Sequence, residues 1–452
     1  MKELHVHAQA SPDAYNRVTR TRFNALMDSL NSSSEPANHL EVLSLKPTGY
    51  TGRVLIANFM KDRATALRRV SLERITLPFG ITSSSLTSLE LIETHCKSVS
   101  ILLKTLETIP CLENLTLDHT SGMTSIASTS AVKPPIQLPH VRRLVIKNIL
   151  LICTALVESM VVHPSAYTEI DASNTSHLHD GDLSDLANAL FSAKQFEPTI
   201  LDLVAYEGRT RCDVVAWGDE GDAGCYGPAN APHPTPSHPY PWPGIKAVLP
   251  VPIPLIDSPC SVAPIVLSDF LSPVSKATWG VITFKGHMHW DIAQVLTALV
   301  GANSVTALIV DDVPPDTVAA LCSALAAIPH NAAPPVLSAL SALHFENIDF
   351  GCPAEECDGG ESAVHCVSHA LMRHEGLRGR KLEILALISC SISGEYVEEW
   401  DCYVQELDWD GESGHAHDRH TDNEEDEDEE EQDEDDGSED EKKVDIVIDD
   451  LD

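Results

Sequence analysis

Five side chains with metal-binding chemistry crowd one short stretch: Cys352, Cys357, His365, Cys366 and His369. A structural zinc centre takes four thiolate or imidazole ligands in a tetrahedron, supplied as two well-spaced pairs. Cys352 and Cys357 make a Cys-x4-Cys pair, and His365 and His369 stand one helical turn apart. The second pair, Cys366 with a histidine, is poorly spaced, and Asp358-Gly359-Gly360 reads as an ordinary loop. No metal is therefore expected. His415, His417 and His420 form another run, but in an acidic, solvated stretch where metal binding is weak and adventitious. For nucleophilic catalysis there is no Gly-x-Ser-x-Gly elbow and no cysteine in a recognisable signature. The glycines from Gly218 to Gly227 are interleaved with acids and repel phosphate. Neither an enzyme nor a cofactor is expected.

Charge narrows the partners. Lys and Arg number 30 against 68 Asp and Glu in 452 residues, a formal charge of −38. Residues 422–452 alone hold 20 acids and 2 bases. Such a chain is repelled by phosphate backbones, which argues against nucleic acid. The longest apolar run, Ile149 to Val157, stops at Glu158, short of the roughly 18 residues a membrane helix needs. Met1 to Val6 has no apolar signal region, and the 12 cysteines are scattered, so a cytoplasmic or nuclear location is expected.

The elements that position these side chains follow a repeat. Apolar residues recur with two residues, then one, between them: Leu40-Glu-Val-Leu43-Ser-Leu45, Leu67-Arg-Arg-Val70-Ser-Leu72, Leu86-Thr-Ser-Leu89-Glu-Leu91, Leu112-Glu-Asn-Leu115-Thr-Leu117 and Val141-Arg-Arg-Leu144-Val-Ile146. Further copies start at Trp279, Val305, Leu340, Leu382 and Val404. The first intervals are 27, 19, 26 and 29 residues, the leucine-rich-repeat period, in which a strand and a helix form one unit. Helical spacing appears between the strands, over 98–109, 291–300, 317–328 and 361–375, the last closed by Gly376. Parallel strands are expected near 42–46, 69–73, 88–92, 114–118, 143–147, 281–285, 307–311, 342–346 and 384–388. Residues 228–273 hold 13 of the 29 prolines, so 207–275 is expected to be an irregular insertion. The organisation is then an N-terminal half over 1–206, the insertion, a C-terminal half over 276–411 and a disordered acidic tail over 412–452. The fold class is α/β: a solenoid with a parallel sheet on its concave side and helices on its convex side.

Three segments resemble a family: Leu138-Pro-His-Val-Arg-Arg-Leu144-Val-Ile146, Leu382 to Ile392, and Val404 to Gly411. They look like the leucine-rich-repeat regions of the F-box-type proteins of mushroom-forming fungi. The resemblance covers most of 1–411 and implies a substrate-recognition part of an SCF-type ubiquitin ligase, with an adaptor as one partner. The F-box itself, with its Leu-Pro-x-Glu start, is not recognisable. Met1 to Val6 already matches the strand pattern, so a cap or F-box upstream, or another chain, is expected to cover that edge.

Side chains alternate along a strand, so the residues between the apolar positions face the concave side. The candidate partner-binding set is Lys46, Arg69, Glu73, Thr116, Asp118, Arg143, Lys147, Lys285, His344 and Glu346. It has no single charge sign, which suits a protein partner. A second expectation, of acidic leucine-rich nuclear proteins that bind histones or other basic proteins, rests on the tail. Within the tail, Ser438 precedes Glu439-Asp440-Glu441, a context for acidophilic kinases. Val444, Ile446, Val447 and Ile448, followed by aspartates, resemble a SUMO-interacting motif, which binds by adding a strand to a sheet edge.

Overall fold

The computed structural model describes residues 2–7, 17–32, 37–47, 64–75, 83–96, 98–120, 134–163, 165–175, 181–192, 198–205, 211–218, 244–250, 270–271, 279–286, 295, 304–327, 337–350 and 362–411. The strands in chain order are β1 (Glu3–His7), β2 (Val42–Lys46), β3 (Arg69–Glu73), β4 (Ser88–Ile92), β5 (Asn114–Asp118), β6 (Ile136–Leu138), β7 (Arg143–Lys147), β8 (Met160–Val162) and β9 (Tyr167–Asp171). They continue with β10 (Pro198–Ala205), β11 (Arg211–Gly218), β12 (Gly244–Pro250), β13 (Val281–Lys285), β14 (Ala307–Asp311), β15 (Ala342–Glu346), β16 (Leu382–Ile388) and β17 (Val404–Trp409). The helices are α1 (Arg17–Ser32), α2 (Val99–Glu107), α3 (Leu150–Glu158), α4 (Asp182–Ser192), α5 (Pro315–Ala326), α6 (Ala363–Arg378) and α7 (Gly394–Asp401). The molecule is α/β, built on one large, mostly parallel sheet.

That sheet has 15 strands in the order β1-β2-β3-β4-β5-β7-β9-β12-β11-β10-β13-β14-β15-β16-β17; β6 and β8 pair separately. One register runs through it. Leu43 is level with Val70, Leu89, Leu115 and Leu144, and beyond the centre Leu201 with Ile282, Leu308, Leu343 and Leu385. Two residues on, a second row carries Leu45, Leu72, Leu91, Leu117, Ile146, Ile170 and, past the centre, Leu203, Phe284, Val310, Phe345 and Leu387. These residues are buried and share a single core with Leu102 and Leu106 of α2, Leu156 of α3, Leu186 of α4, Leu321 of α5, Val367 of α6 and Trp400 of α7. The sheet thus has a leucine face covered by helices and an opposite, polar face.

Strand ends repeat as faithfully. Arg74, Glu93, His119, Asp312, Asn347 and Ser389 each follow the last residue of a strand and have φ between 46° and 55°. A left-handed non-glycine residue costs about 1 kcal/mol or more, and here the neighbouring strand offsets it: Glu93 N–H donates to Asp118 O at 2.7 Å and Asn347 N–H to Ile388 O at 3.0 Å. The kink rotates the following side chain into the core, and Ile75, Thr94, Thr120, Val313, Ile348 and Cys390 are all buried. Thr94 satisfies its hydroxyl there by donating to Leu72 O at 3.3 Å and Ile92 O at 3.2 Å.

All nine strands expected from the repeat are present, with β16 beginning two residues early at Leu382. The insertion departs from expectation. Instead of an irregular 207–275, β11 and β12 lie inside the same sheet, between β9 and β10, and β11 is antiparallel to both β10 and β12. The reason is local. Prolines crowd 228–243 and 250–264 but are absent from 211–227 and 244–249. In those gaps Cys212, Val214 and Ala216, and Ile245, Ala247 and Leu249, alternate and bury on the leucine face. Two further strands, β9 and β10, break the sequence pattern at its first apolar position, occupied by Ser165 and Pro198. Helix α6 runs through Gly376 to Arg378 and ends on Gly379, which has φ 66° and donates to Glu375 O at 2.8 Å. Of the helix expected over 291–300, only Val295 is described.

His374 on α6 is buried, with Nε2 3.2 Å from Leu340 O. Burial, and then the Arg378 charge, hold its pKa below the ordinary 6.5. In the pH window between 6.5 and that depressed value the unfolded chain binds the proton more readily, so stability falls as pH falls through it. We expect the urea midpoint to drop between about pH 7 and about pH 5.5, and to drop less in His374→Gln. Equal drops in the two proteins would remove His374 from the account.

Candidate functional site

The polar face carries the candidate side chains. Its middle row reads Ser44, Ser71, Glu90, Thr116, Val145 and Glu169 from β2 to β9, then Lys246, Val215, Asp202, Thr283, Ile309, His344 and Ala386. All ten candidate partner-binding residues lie on this face, because each is an even number of residues along its strand from a member of that row. Their availability differs. Arg69 and Arg143 are exposed, while Lys46, Glu73, Thr116, Asp118, Lys147, Lys285, His344 and Glu346 are half-buried. Near the centre, Val145, Tyr167, Val215 and Val248 are buried apart from the main core. Burial lowers the pKa of His344 below its ordinary value, against the raising effect of Asp408.

The two rims of the face differ in electrostatics. Along the rim where the parallel strands end, most charges are paired, Lys46 of β2 being an exception among the described residues. Arg74 grips Glu93 with two bonds, Nε to Oε2 at 2.6 Å and Nη2 to Oε1 at 3.0 Å, which hold the Glu93 carboxyl below its usual range. Asp118 lies 3.6 Å from His119 Nδ1 and 4.0 Å from Lys147 Nζ. Asp311, buried, takes Lys285 Nζ on one oxygen and Asn347 Nδ2 on the other at 2.9 Å. Lys285 is thereby committed to Asp311. In the inserted strands, Lys246 lies 3.1 Å from buried Asp213.

The rim where the strands begin is different. Arg68-Arg69 and Arg142-Arg143 stand at the same repeat position of β3 and β7. Arg142 Nη1 lies 2.7 Å from His163 Nδ1 and donates to Ser165 Oγ at 2.8 Å. The pKa of His163 is lowered by burial, then by the charges of Arg142 and His140. Among the described residues, Arg68, Arg69 and Arg143 show no side-chain hydrogen bond or ion pair. Arg68 and Arg142 were not in the candidate set; the repeated Arg-Arg dipeptide was the signal in the sequence.

The metal-binding candidates are not brought together. His365 and His369 are exposed on α6, the first 2.7 Å from Ser362 Oγ, the second accepting from Arg373 Nε at 3.3 Å. Cys366 faces inward, with Ser323 Oγ donating to its sulfur at 3.9 Å. No group of three or more His, Cys, Asp or Glu is placed to hold an ion among the described residues. Cys352, Cys357, His415, His417 and His420 lie outside those residues, as do Ser438, Val444, Ile446, Val447 and Ile448. Burial pushes the thiols of Cys153 to about 12 and Cys390 to about 11, and those of Cys212 and Cys322 also upward, so none of these four is a thiolate nucleophile. No described helix is long and apolar enough to cross a membrane.

Compared with known proteins, the chain matches no protein-family model and no curated protein.

Proposed function

We propose that this chain is a non-enzymatic protein-binding protein: a leucine-rich-repeat-like solenoid whose polar sheet face, taken as its concave side, holds a protein partner. The observation that carries this reading is the single register across the sheet, with buried leucines on one face and a mixed polar row of hydroxyls, carboxylates and cations on the other. A strand, a left-handed kink and a buried side chain after it recur at β3, β4, β5, β14, β15 and β16, the periodicity a repeat array needs. A broad mixed surface of this kind discriminates through charge and hydrogen-bond complementarity over many residues. The family resemblance extends the proposal to target recognition in an SCF-type ubiquitin ligase. The tail, with 20 acids among residues 422–452, supports a second reading, as an acidic nuclear protein that holds histones or other basic proteins.

Affinity purification from the native cell, washed at low and then high salt, separates the two. Retention of a ligase adaptor and one target at about 0.5 M salt supports the first reading; loss of all bound protein, with histones in the wash, supports the second. In the first case Thr116→Arg with Glu346→Arg, both on the polar face, is expected to weaken target binding at least about tenfold while the chain remains folded. Undiminished target binding by that variant would place the interface elsewhere.

A further inference from the structure

We propose that the rim where β3 to β7 begin is a docking site for this chain's own acidic tail, residues 422–452, which thereby competes for the face assigned above to a partner. The inference rests on that assignment for its consequence but not for the contact itself.

From β3 to β7 the first outward position of each strand is Arg69, Ser88, Asn114 and Arg143, level with one another, and all can donate hydrogen bonds. The position before is Arg68, Thr87, Glu113 and Arg142. This short rim holds four arginines and one acid, in a chain whose acids outnumber its bases 68 to 30. Glu113 makes no ion pair with them. Arg142 spends one nitrogen on His163 and Ser165, and His140 stands close enough to His163 to lower its pKa. Arginines without an ion pair among the described residues, gathered at one rim, attract a carboxylate-bearing ligand and can grip it bidentately.

The geometry fits an extended acidic run. Arg69 and Arg143 are three strand spacings apart, about 14 Å. An extended peptide advances about 3.3 Å per residue, so carboxylates at i and i+4 meet both arginines. Glu424 to Glu431 contains no residue other than Asp and Glu, so every register offers such a pair.

The tail can reach. Strand β17 lies nine places from β7 in the sheet, about 43 Å along it. Residues 20 beyond Gly411 extend to about 66 Å at full stretch. Tethering raises the local concentration of the tail to the millimolar range, so a weak contact suffices. Other basic groups nearer the tail are engaged: Arg380 with Glu383 at 3.5 Å, Arg378 with Leu340 O at 3.3 Å and Lys381 with Cys402 O at 2.5 Å. The exposed Glu398, Glu399 and Asp401 of α7 repel acid there as well.

Small-angle X-ray scattering of the full chain across a salt series tests the contact by its sign. An undocked polyanion repels itself at low salt and contracts as salt is added. A docked tail is released by salt and expands. We expect the radius of gyration to rise by roughly 2–4 Å between about 0.05 M and about 0.5 M salt. Combined Arg68→Gln, Arg69→Gln, Arg142→Gln and Arg143→Gln is expected to be expanded at low salt and to contract as salt rises. Arg69→Gln with Arg143→Gln, which touches no hydrogen bond among the described residues, shows the same change in part and covers any folding defect from Arg142. Contraction of the unaltered chain on adding salt overturns the proposal. So does a scattering mass of two chains at low salt, which would place the tail on a second copy, and so does an identical rise in the arginine variants. None of these readouts depends on a target protein, so they stand whether or not the partner assignment holds.

Discussion

Trp400→Ala is expected to lower stability by about 4 kcal/mol, against the range of large-to-small aromatic substitutions in cores. Trp400 is wholly buried on α7 and ends an aromatic chain linking that helix to the sheet. Its ring meets Phe350 edge-on at 5.7 Å, and Phe350 meets Phe345 of β15 edge-on at 5.4 Å. Its indole Nε1 donates to Ser368 Oγ on α6 at 2.8 Å, so a single side chain ties two helices and a strand. Trp400→Phe keeps most of the apolar contact and removes the donor; it should cost about 1–2 kcal/mol. Urea unfolding followed by far-ultraviolet circular dichroism measures both. A loss under about 1 kcal/mol for the alanine variant would mean the corner closes over the gap, contrary to close packing.

Lys285→Met is expected to lower stability by about 2–3 kcal/mol while leaving partner affinity little changed. The Asp311 side chain is 8% exposed and Lys285 30%, so removing the ammonium strands a carboxylate with Asn347 as its one remaining side-chain partner among the described residues. Breaking a buried pair from one side costs more than the pair itself is worth. The value sits below the fully buried range because Lys285 touches water. Adding Asp311→Asn to Lys285→Met should recover most of the loss, since a neutral amide no longer carries an unpaired charge; a double-mutant cycle reads the coupling directly. If Lys285→Met instead weakens target binding with stability unchanged, the side chain is a contact residue and the ion pair is incidental.

That pair shows how far residue identity reached. Lys285 and Glu346 were assigned by alternation alone to the strand face opposite the leucines, and the pairing register places both on the polar face. The diversion of Lys285 to Asp311 depends on two residues 26 apart in sequence being level in adjacent strands, a relation set by pairing register. The same holds for Arg74 and Glu93, joined at 2.6 Å across neighbouring kinks. The left-handed kinks were also not visible. They fall on Arg, Glu, His, Asp, Asn and Ser with no common residue type, because the neighbouring strand's carbonyl stabilises the first five and the Asp410 carboxylate, accepting from Ser389 N–H, the sixth.

The local pattern by itself determined where nine strands lie and which of their side chains join the leucine core, because a two-residue alternation of leucines needs only a nearby apolar surface to be satisfied. It determined the α/β class for the same reason, since strand and helix periods alternate along the chain. Only the tertiary structure decided what fills the centre. Strands β9 and β10, whose first apolar positions are Ser165 and Pro198, are held by neighbours on both sides rather than by their own pattern. Strands β11 and β12 enter between them because the chain turns back in an antiparallel hairpin, and a hairpin's partner is chosen by long-range pairing. The contrast between a rim of mostly paired charges and a rim whose four arginines make no ion pair among the described residues was decided at the same level. Charge is a property of each residue, but compensation depends on which residues the register places side by side.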